Sequence, residues 1–217
     1  MVTIMSDLSR FQHPRFARTY ERISVEAERR GTAEYRVRAL AGLRGRVIEV
    51  GAGNGLNFPH YPATVTEVVA IEPDDHLRDL AGGAARSAPV PVQVVAAHAD
   101  ELPFEDADFE CGVTSLVLCS VPDVRRSLAE VRRVLKPGGE LRFFEHVRSA
   151  NPVLGVLEDV ITPLWSAAAG GCHPNRDIAA AIRAAGFEME ELDRFAYRPL
   201  RLSPKTTHIL GRARARA

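Results

Sequence analysis

The sequence predicts an α/β fold in which a mostly parallel sheet carries helices on both faces. Strand-like and helix-like patterns alternate along most of the 217 residues, the sign of parallel strands joined by helical crossovers. The run Val47-Ile48-Glu49-Val50 passes straight into Gly51-Ala52-Gly53-Asn54-Gly55, a buried strand feeding a glycine-rich turn. An acid, Glu72, follows at the end of the next strand-like run, in Ile71-Glu72-Pro73-Asp74. Together these place a nucleoside-containing cofactor at the carboxyl edge of a parallel sheet.

The elements follow in order. Phe11 to Arg30 shows apolar residues at helical spacing among arginines; Gly31 breaks the pattern, and Ala33 to Leu43 resumes it as far as Gly45. Arg46 to Val50 is the first strand and Val65 to Ile71, rich in β-branched residues, the second. Asp74 or Asp75 caps a helix near His76 to Arg86, which Gly82-Gly83 weakens. Val92 to Ala96 is a short third strand, and Asp108 to Leu118 a nearly continuous apolar fourth. Pro122-Asp123 opens a helix through Leu135, and Lys136-Pro137-Gly138-Gly139 makes a tight turn into a fifth strand, Glu140 to His146. Asn151 to Ala169 is too densely apolar for an exposed helix and is expected to pack over the site. Asp177 to Ala185 is a helix stopped by Gly186, before two last strands at Phe187 to Phe195 and Thr206 to Arg212. The Arg/Ala tail from Gly211 to Ala217 is expected to be a frayed, solvated end.

Composition narrows the function. Lys plus Arg balances Asp plus Glu at 28 each, so no basic field draws nucleic acid. Cys111, Cys119 and Cys172 are an odd, unpaired set, which fits reduced thiols in a cytoplasmic protein rather than a disulfide framework. No Cys/His spacing suggests a metal. Met1 to Arg10 lacks the pattern of a signal peptide, and no apolar run reaches membrane-spanning length. There is no internal repeat or linker, and oligomeric state is not legible.

The glycine turn alone does not choose the cofactor. A dinucleotide fingerprint wants a third glycine where Leu56 stands, and Pro59 and Pro62 soon interrupt any helix. That argues against an NAD-dependent oxidoreductase, the remote alternative. Four motifs decide: Glu49-Val-Gly-Ala-Gly-Asn-Gly, Ile71-Glu72-Pro73-Asp74, Asp100-Glu101-Leu102-Pro103-Phe104 and Leu135-Lys136-Pro137-Gly138-Gly139-Glu140 occur in one order at compatible separations. From Val47 to Val147 the chain resembles the class I S-adenosylmethionine-dependent methyltransferases of the quinone and small-molecule branch. Further pieces resemble the alkyl thiol S-methyltransferases: Asn57-Phe58, Tyr61-Pro62, Leu116 to Val121, Glu145-His146-Val147, Trp165, Gly171-Cys172, Arg176, Ala185-Gly186-Phe187 and His208-Ile209.

The resemblance implies a Rossmann-like, seven-stranded, mostly parallel sheet in one methyltransferase domain. Residues 1–44 would form a helical lid, 45–147 the cofactor-binding core, and 148–217 the substrate-cover helices and last strands. It implies S-adenosyl-L-methionine as cofactor and a small-molecule methyl acceptor. A thiol is favoured; a phenol, amine, quinone precursor or phospholipid head group are alternatives. Gly51, Gly53 and Gly55 would admit the methionine part of the cofactor, with Asn57 beside them. Glu49 would orient its ammonium and Tyr20 would cover its carboxylate. Glu72, with Pro73, would take the ribose hydroxyls, Asp74 serving as a helix cap. Asp100 and Glu101 would line the adenine, leaving His98 as a solvated loop residue. Ser115 and Leu116 would stand near the reactive methyl. His146 is the candidate general base, ahead of His173 and His208; Glu145 either orients it or faces away. Cys119 reads as packing.

Overall fold

A computed structural model describes residues 7–201 and 203–216. The expectation of no signal peptide at Met1 to Arg10 falls mostly on residues outside the described ones, and Ala217, the last residue of the tail, lies outside them as well.

Among the described residues, seven strands form one sheet in the order β3-β2-β1-β4-β5-β7-β6. They are β1 (Gly45–Val50), β2 (Val65–Ile71), β3 (Val92–Val95), β4 (Phe109–Ser115), β5 (Leu135–His146), β6 (Phe187–Tyr197) and β7 (Thr206–Ala215). The first five pair in parallel, and β7 is antiparallel to both β5 and β6. Helices α1 (Pro14–Ala27) and α2 (Ala33–Leu40) precede the sheet, with Gly31 at φ 112° between them. Helices α3 (Asp75–Ala85), α4 (Val124–Val134), α5 (Pro152–Ala168) and α6 (Ile178–Ala184) follow.

Strand alternation divides the core into two faces. Ile48, Val50, Val69 and Ile71 pack with Leu128 and Val131 of α4 and Ile178 and Ile182 of α6. Val47, Val68, Ala70 and Val113 pack on the other face with Leu40, Phe58 and Ala81. The helices start where side-chain oxygens can take their free N–H groups. Asp74 accepts from Leu77 N, and Asp123 from Arg125 N and Arg126 N.

Four expectations need correction. The fourth strand stops at Ser115 rather than Leu118, because Glu145 pulls the N–H groups of Val117 and Leu118 onto its carboxylate. The Lys136-to-Gly139 turn forms inside β5 as a register jump: Leu135 opposes Phe109, and the next pair is Glu140 with Cys111. The Arg/Ala tail is ordered strand as far as Ala215. Its alternation is the period of a strand, with Ala213 and Ala215 buried and Arg212 and Arg214 paired to Glu190. Helix α5 does not pack over the site. Only Gly155 and Thr162 of α5 are buried, while Leu164 is 81% exposed and Val153 76%. Apolar density is not burial here: polar contacts hold the segment, through Ser149 N to Glu158 and through Arg148 and Asn175 to Asp159.

Candidate active site

A cleft of about 390 Å³ opens at the carboxyl ends of β1, β2 and β4, beneath α1. Its floor is the turn after β1. Gly51 has φ 72°, and a Cβ there would lie 2.3 Å from Val117 Cγ2, so backbone alone fits between strand and neighbouring loop. Gly53 has φ 56°; its N–H donates to Glu72 Oε2 at 2.8 Å, and Tyr20 Cε1 lies 3.3 Å from where its Cβ would be. Gly55 plays a different part. It packs under Phe58 and Ala84 and lies outside the cleft lining.

Two buried carboxylates flank the turn. Glu72 lines the cleft, accepting from Gly53 N and, on its other oxygen at 3.0 Å, from Asp74 N. Burial, against those two backbone hydrogen bonds, lifts its pKa to about 7. Glu49 sits behind the turn. Tyr61 OH donates to one oxygen at 2.6 Å and Asn57 Nδ2 to the other at 2.9 Å. Burial outweighs these bonds and brings Glu49 to about 7 as well. Asn57 continues the network to Ser115 Oγ and accepts from Arg36 Nη1, whose Nε holds Glu28 at 2.7 Å. Glu49 and Asn57 therefore brace the turn from outside the cleft lining.

The N-terminal segment closes the cleft from above. Gln12 Nε2 donates to Pro73 O at 2.8 Å and His13 N to Asp74 Oδ2 at 3.1 Å, so the acidic loop anchors the start of α1. Phe16 and Tyr20 then face the cleft with ring centroids 5.6 Å apart. Phe11 stacks on His98 at 4.8 Å. His98 is thus buried rather than solvated, and it lines the cleft with Ala99. Burial, then the nearby Arg10, lowers its pKa and keeps it neutral. Asp100 turns the other way: its carboxylate accepts from Ser127 Oγ at 2.6 Å, and its carbonyl from Arg126 Nε. Glu101 is exposed. The loop is positioned by Asp100 and presents His98.

At the end of β4, Ser115 and Leu116 line the cleft, with Leu116 at φ 60°, a conformation uncommon for a branched side chain. Its N–H donates to Phe144 O at 2.7 Å. Glu145 is buried beneath this turn, facing away from His146 as strand alternation requires; burial raises its pKa well above the ordinary carboxylate range.

The three histidines separate. His173 reaches the cleft rim beside Gly170 and Gly171. His146 lines neither this cleft nor the cavity beside it; its Nδ1 lies 3.7 Å from Cys172 Sγ and its Nε2 has no partner among the described residues. Burial lowers its pKa. Its ring stacks on His208 at 5.2 Å. His208 faces a second cavity of about 140 Å³, whose wall includes Tyr20 and Leu116 and adjoins the cleft. The second cavity is not legible in the sequence, and neither are Phe11, Phe16, Val117 and the burial of His98, because contacts distant in sequence bring them to the cleft. Among the described residues, no cluster of three or more His, Cys, Asp and Glu groups could hold a metal ion, and no helix is long and apolar enough to cross a membrane.

The strand order, the glycine turn and the acid closing β2 define a class I S-adenosylmethionine-dependent methyltransferase. A methyltransferase-domain profile matches residues 48–143. Human thiol S-methyltransferase TMT1B is 33% identical over 183 residues, covering 82% of this chain and 74% of that protein. The rat TMT1B is 32% identical over 203 residues, covering 91% and 81%. The fold is shared with a Bacillus halodurans methyltransferase at TM-score 0.70 and 20% identity, covering 83% of this chain and 97% of that one. A SAM-dependent methyltransferase of Thermotoga maritima gives 0.66 and 24%, covering 92% and 96%. The chain belongs to the methyltransferase family that includes these thiol S-methyltransferases.

Proposed function

We propose that this chain methylates the sulfur of a small thiol, with S-adenosylmethionine as donor. The carrying observation is the similarity to thiol S-methyltransferases over as much as 91% of the chain, well beyond the cofactor motifs. The cleft suits the donor: a backbone floor that a Cβ at Gly51 would block, and a carboxylate, Glu72, exposed to the cleft with lone pairs left for two hydroxyls. His98 and Ala99 flank the adenine and Tyr20 covers the methionine end. Asp100 acts through the loop it holds, and Glu49 through Asn57.

The cofactor supplies a methyl group activated by a positive sulfur. The protein's part is alignment and exclusion of water. Phe11, Phe16 and Tyr20 roof the cleft, and the Leu116 turn sets the floor facing the acceptor. A thiol ionises near pH 8.5, so a neutral imidazole suffices to take its proton.

Glu72→Gln tests the cofactor assignment. Glu72 is half ionised near pH 7, so affinity for S-adenosylhomocysteine should rise as pH rises from 6 to 8. The Gln variant should bind about 10- to 100-fold more weakly, given ~1.5–3 kcal/mol for a hydrogen bond to a charged group, and show no such rise. Equal calorimetric affinity in both proteins would sink this role for Glu72. Product mass spectrometry with matched thiols, phenols and amines tests the acceptor: methylated phenol with untouched thiols would defeat the thiol reading.

A further inference from the structure

The cleft is of a size that a nucleoside cofactor fills, so the acceptor needs room of its own. The second cavity adjoins it, and Tyr20 and Leu116 line both spaces as a partition. Building on the proposed thiol methylation, we infer that this second cavity is the acceptor site. It takes a compact, uncharged thiol no larger than one benzene ring, and His208 Nε2 receives the proton the sulfur gives up.

Size sets the ceiling. The cavity measures about 140 Å³, and an apolar cavity of about 150 Å³ accommodates benzene. Wall chemistry sets the class. Ile23, Ala27, Phe144 and Leu116 present carbon. The charged groups at the wall, Arg36 and Glu28, are bonded to each other at 2.7 Å. An acceptor carboxylate or ammonium would therefore be desolvated without a free partner. A thiol behaves as a small apolar group and enters such a space at low cost.

His208 supplies the polar function. Its ring stacks on Phe144 at 5.5 Å and on His146 at 5.2 Å, with the edge of Tyr197 at 5.8 Å. Nδ1 lies 3.1 Å from Thr206 O, so it carries the hydrogen and leaves Nε2 as a lone pair. No hydrogen-bond partner among the described residues occupies that nitrogen. Burial and the neighbouring His146 push the ring's pKa down to about 4, so it is neutral at physiological pH. A weak base is adequate because the S–H proton becomes strongly acidic as the sulfur gains its methyl group. The acceptor's sulfur lone pair forms the new S–C bond. The electron pair of the broken C–S bond stays with the donor sulfur, which becomes a neutral thioether, and the thiol proton passes to His208 and on to solvent.

The test uses the full chain with S-adenosylhomocysteine bound. Toluene, an unreactive relative of benzenethiol, should bind this complex saturably by ligand-observed NMR. Ala27→Phe, which sets a ring into this space from its α1 wall, should abolish that binding and lower benzenethiol methylation by at least about 50-fold, while binding S-adenosylhomocysteine as before. His208→Phe should keep toluene binding and lower methylation by about 100-fold. In the unaltered protein, 2-naphthalenethiol should turn over far more slowly than ethanethiol or benzenethiol, a measurement that stands even if Ala27→Phe fails to fold. Equal turnover of the two aryl thiols, or toluene binding that survives Ala27→Phe, would overturn the site. Undiminished methylation by His208→Phe would overturn the proton route. If toluene obeys the prediction while phenol rather than benzenethiol is methylated, the cavity stands and the thiol reading fails. If thiols react without a size limit, the thiol reading stands and this inference fails.

Discussion

The cofactor cleft and the cavity beside it share two residues, yet the chain builds them from different materials. The cleft is made of backbone and carboxylate: a turn at positive φ, N–H groups aimed at Glu72, and loops pinned by Asp74 and Asp100. The cavity wall is backed by rings from distant strands and a helix. Tyr35 of α2, Phe144 and Phe195 stack in mutual contact, while His208 lies against Phe144 and Tyr197. A ligand's constant part is read by backbone, which side-chain substitutions alter little. Its variable part is read by side chains, which they alter readily.

The strongest blow to this contrast comes from the backbone side. Gly51→Ala places a Cβ 2.3 Å from Val117 Cγ2 and 2.9 Å from its Cβ, in a left-handed conformation. Val117 is β-branched and cannot swing its methyls clear. Strain and overlap together should cost about 2–4 kcal/mol of stability and remove S-adenosylhomocysteine binding. Denaturant unfolding and calorimetry check both, and Val117→Ala in the same chain should restore part of each. If Gly51→Ala binds normally, the floor is not set by that contact.

The second effect falls on Glu49, the buried carboxylate behind the glycine turn. Glu49 has an ordinary value of 4.5 when unfolded and about 7 in the fold. Between those values the fold keeps a proton that the unfolded chain has released, so the contribution to stability declines as pH rises and is lost above pH 7. A shift of that size is on the order of 3 kcal/mol. Glu49→Gln has no proton to release. Its stability relative to the unaltered protein should therefore improve by roughly that amount between pH 4.5 and 8, followed by urea unfolding across the range. A constant difference would mean that the Tyr61 and Asn57 bonds hold the acid at its ordinary value.

The same contrast explains what the sequence disclosed. Gly51, Gly53, Glu72 and the Asp74 cap act within a few residues or between adjacent strand ends, so local pattern exposes them. The alternation of strands with helices made a mostly parallel sheet legible, but not the order of its strands. His98 is covered by Phe11, 87 positions earlier, which stacks on it. His208 rather than His146 meets a cavity because of where β7 sets its ring beside β5, a pairing that no local spacing encodes. The densely apolar α5 shows the limit of hydropathy. Its composition signals a segment averse to water, but the described fold leaves Val153, Val160 and Leu164 outward. The Arg/Ala tail was legible in principle, since its period of two is a strand's; its partners Glu190 and Glu191 lie some twenty residues back.

The smallest expected effect falls on the partition itself. Leu116 holds φ 60°, which costs a residue with a Cβ about 1–2 kcal/mol and a glycine nothing. Its side chain packs on the cluster of Ala39, Phe144 and Leu210, an apolar contact of about the same worth for a half-buried leucine. Leu116→Gly should therefore change stability by less than about 1 kcal/mol, the two terms offsetting each other. It should weaken S-adenosylhomocysteine binding far less than Glu72→Gln does, because Leu116 gives the cleft only an apolar contact while the glycine turn and Glu72 are untouched. What it removes is the wall between the spaces, so bulkier thiols should gain on small ones in kcat/KM. A loss of several kcal/mol would instead make Leu116 a core residue whose backbone conformation serves packing, and the two spaces would not be separable by this side chain.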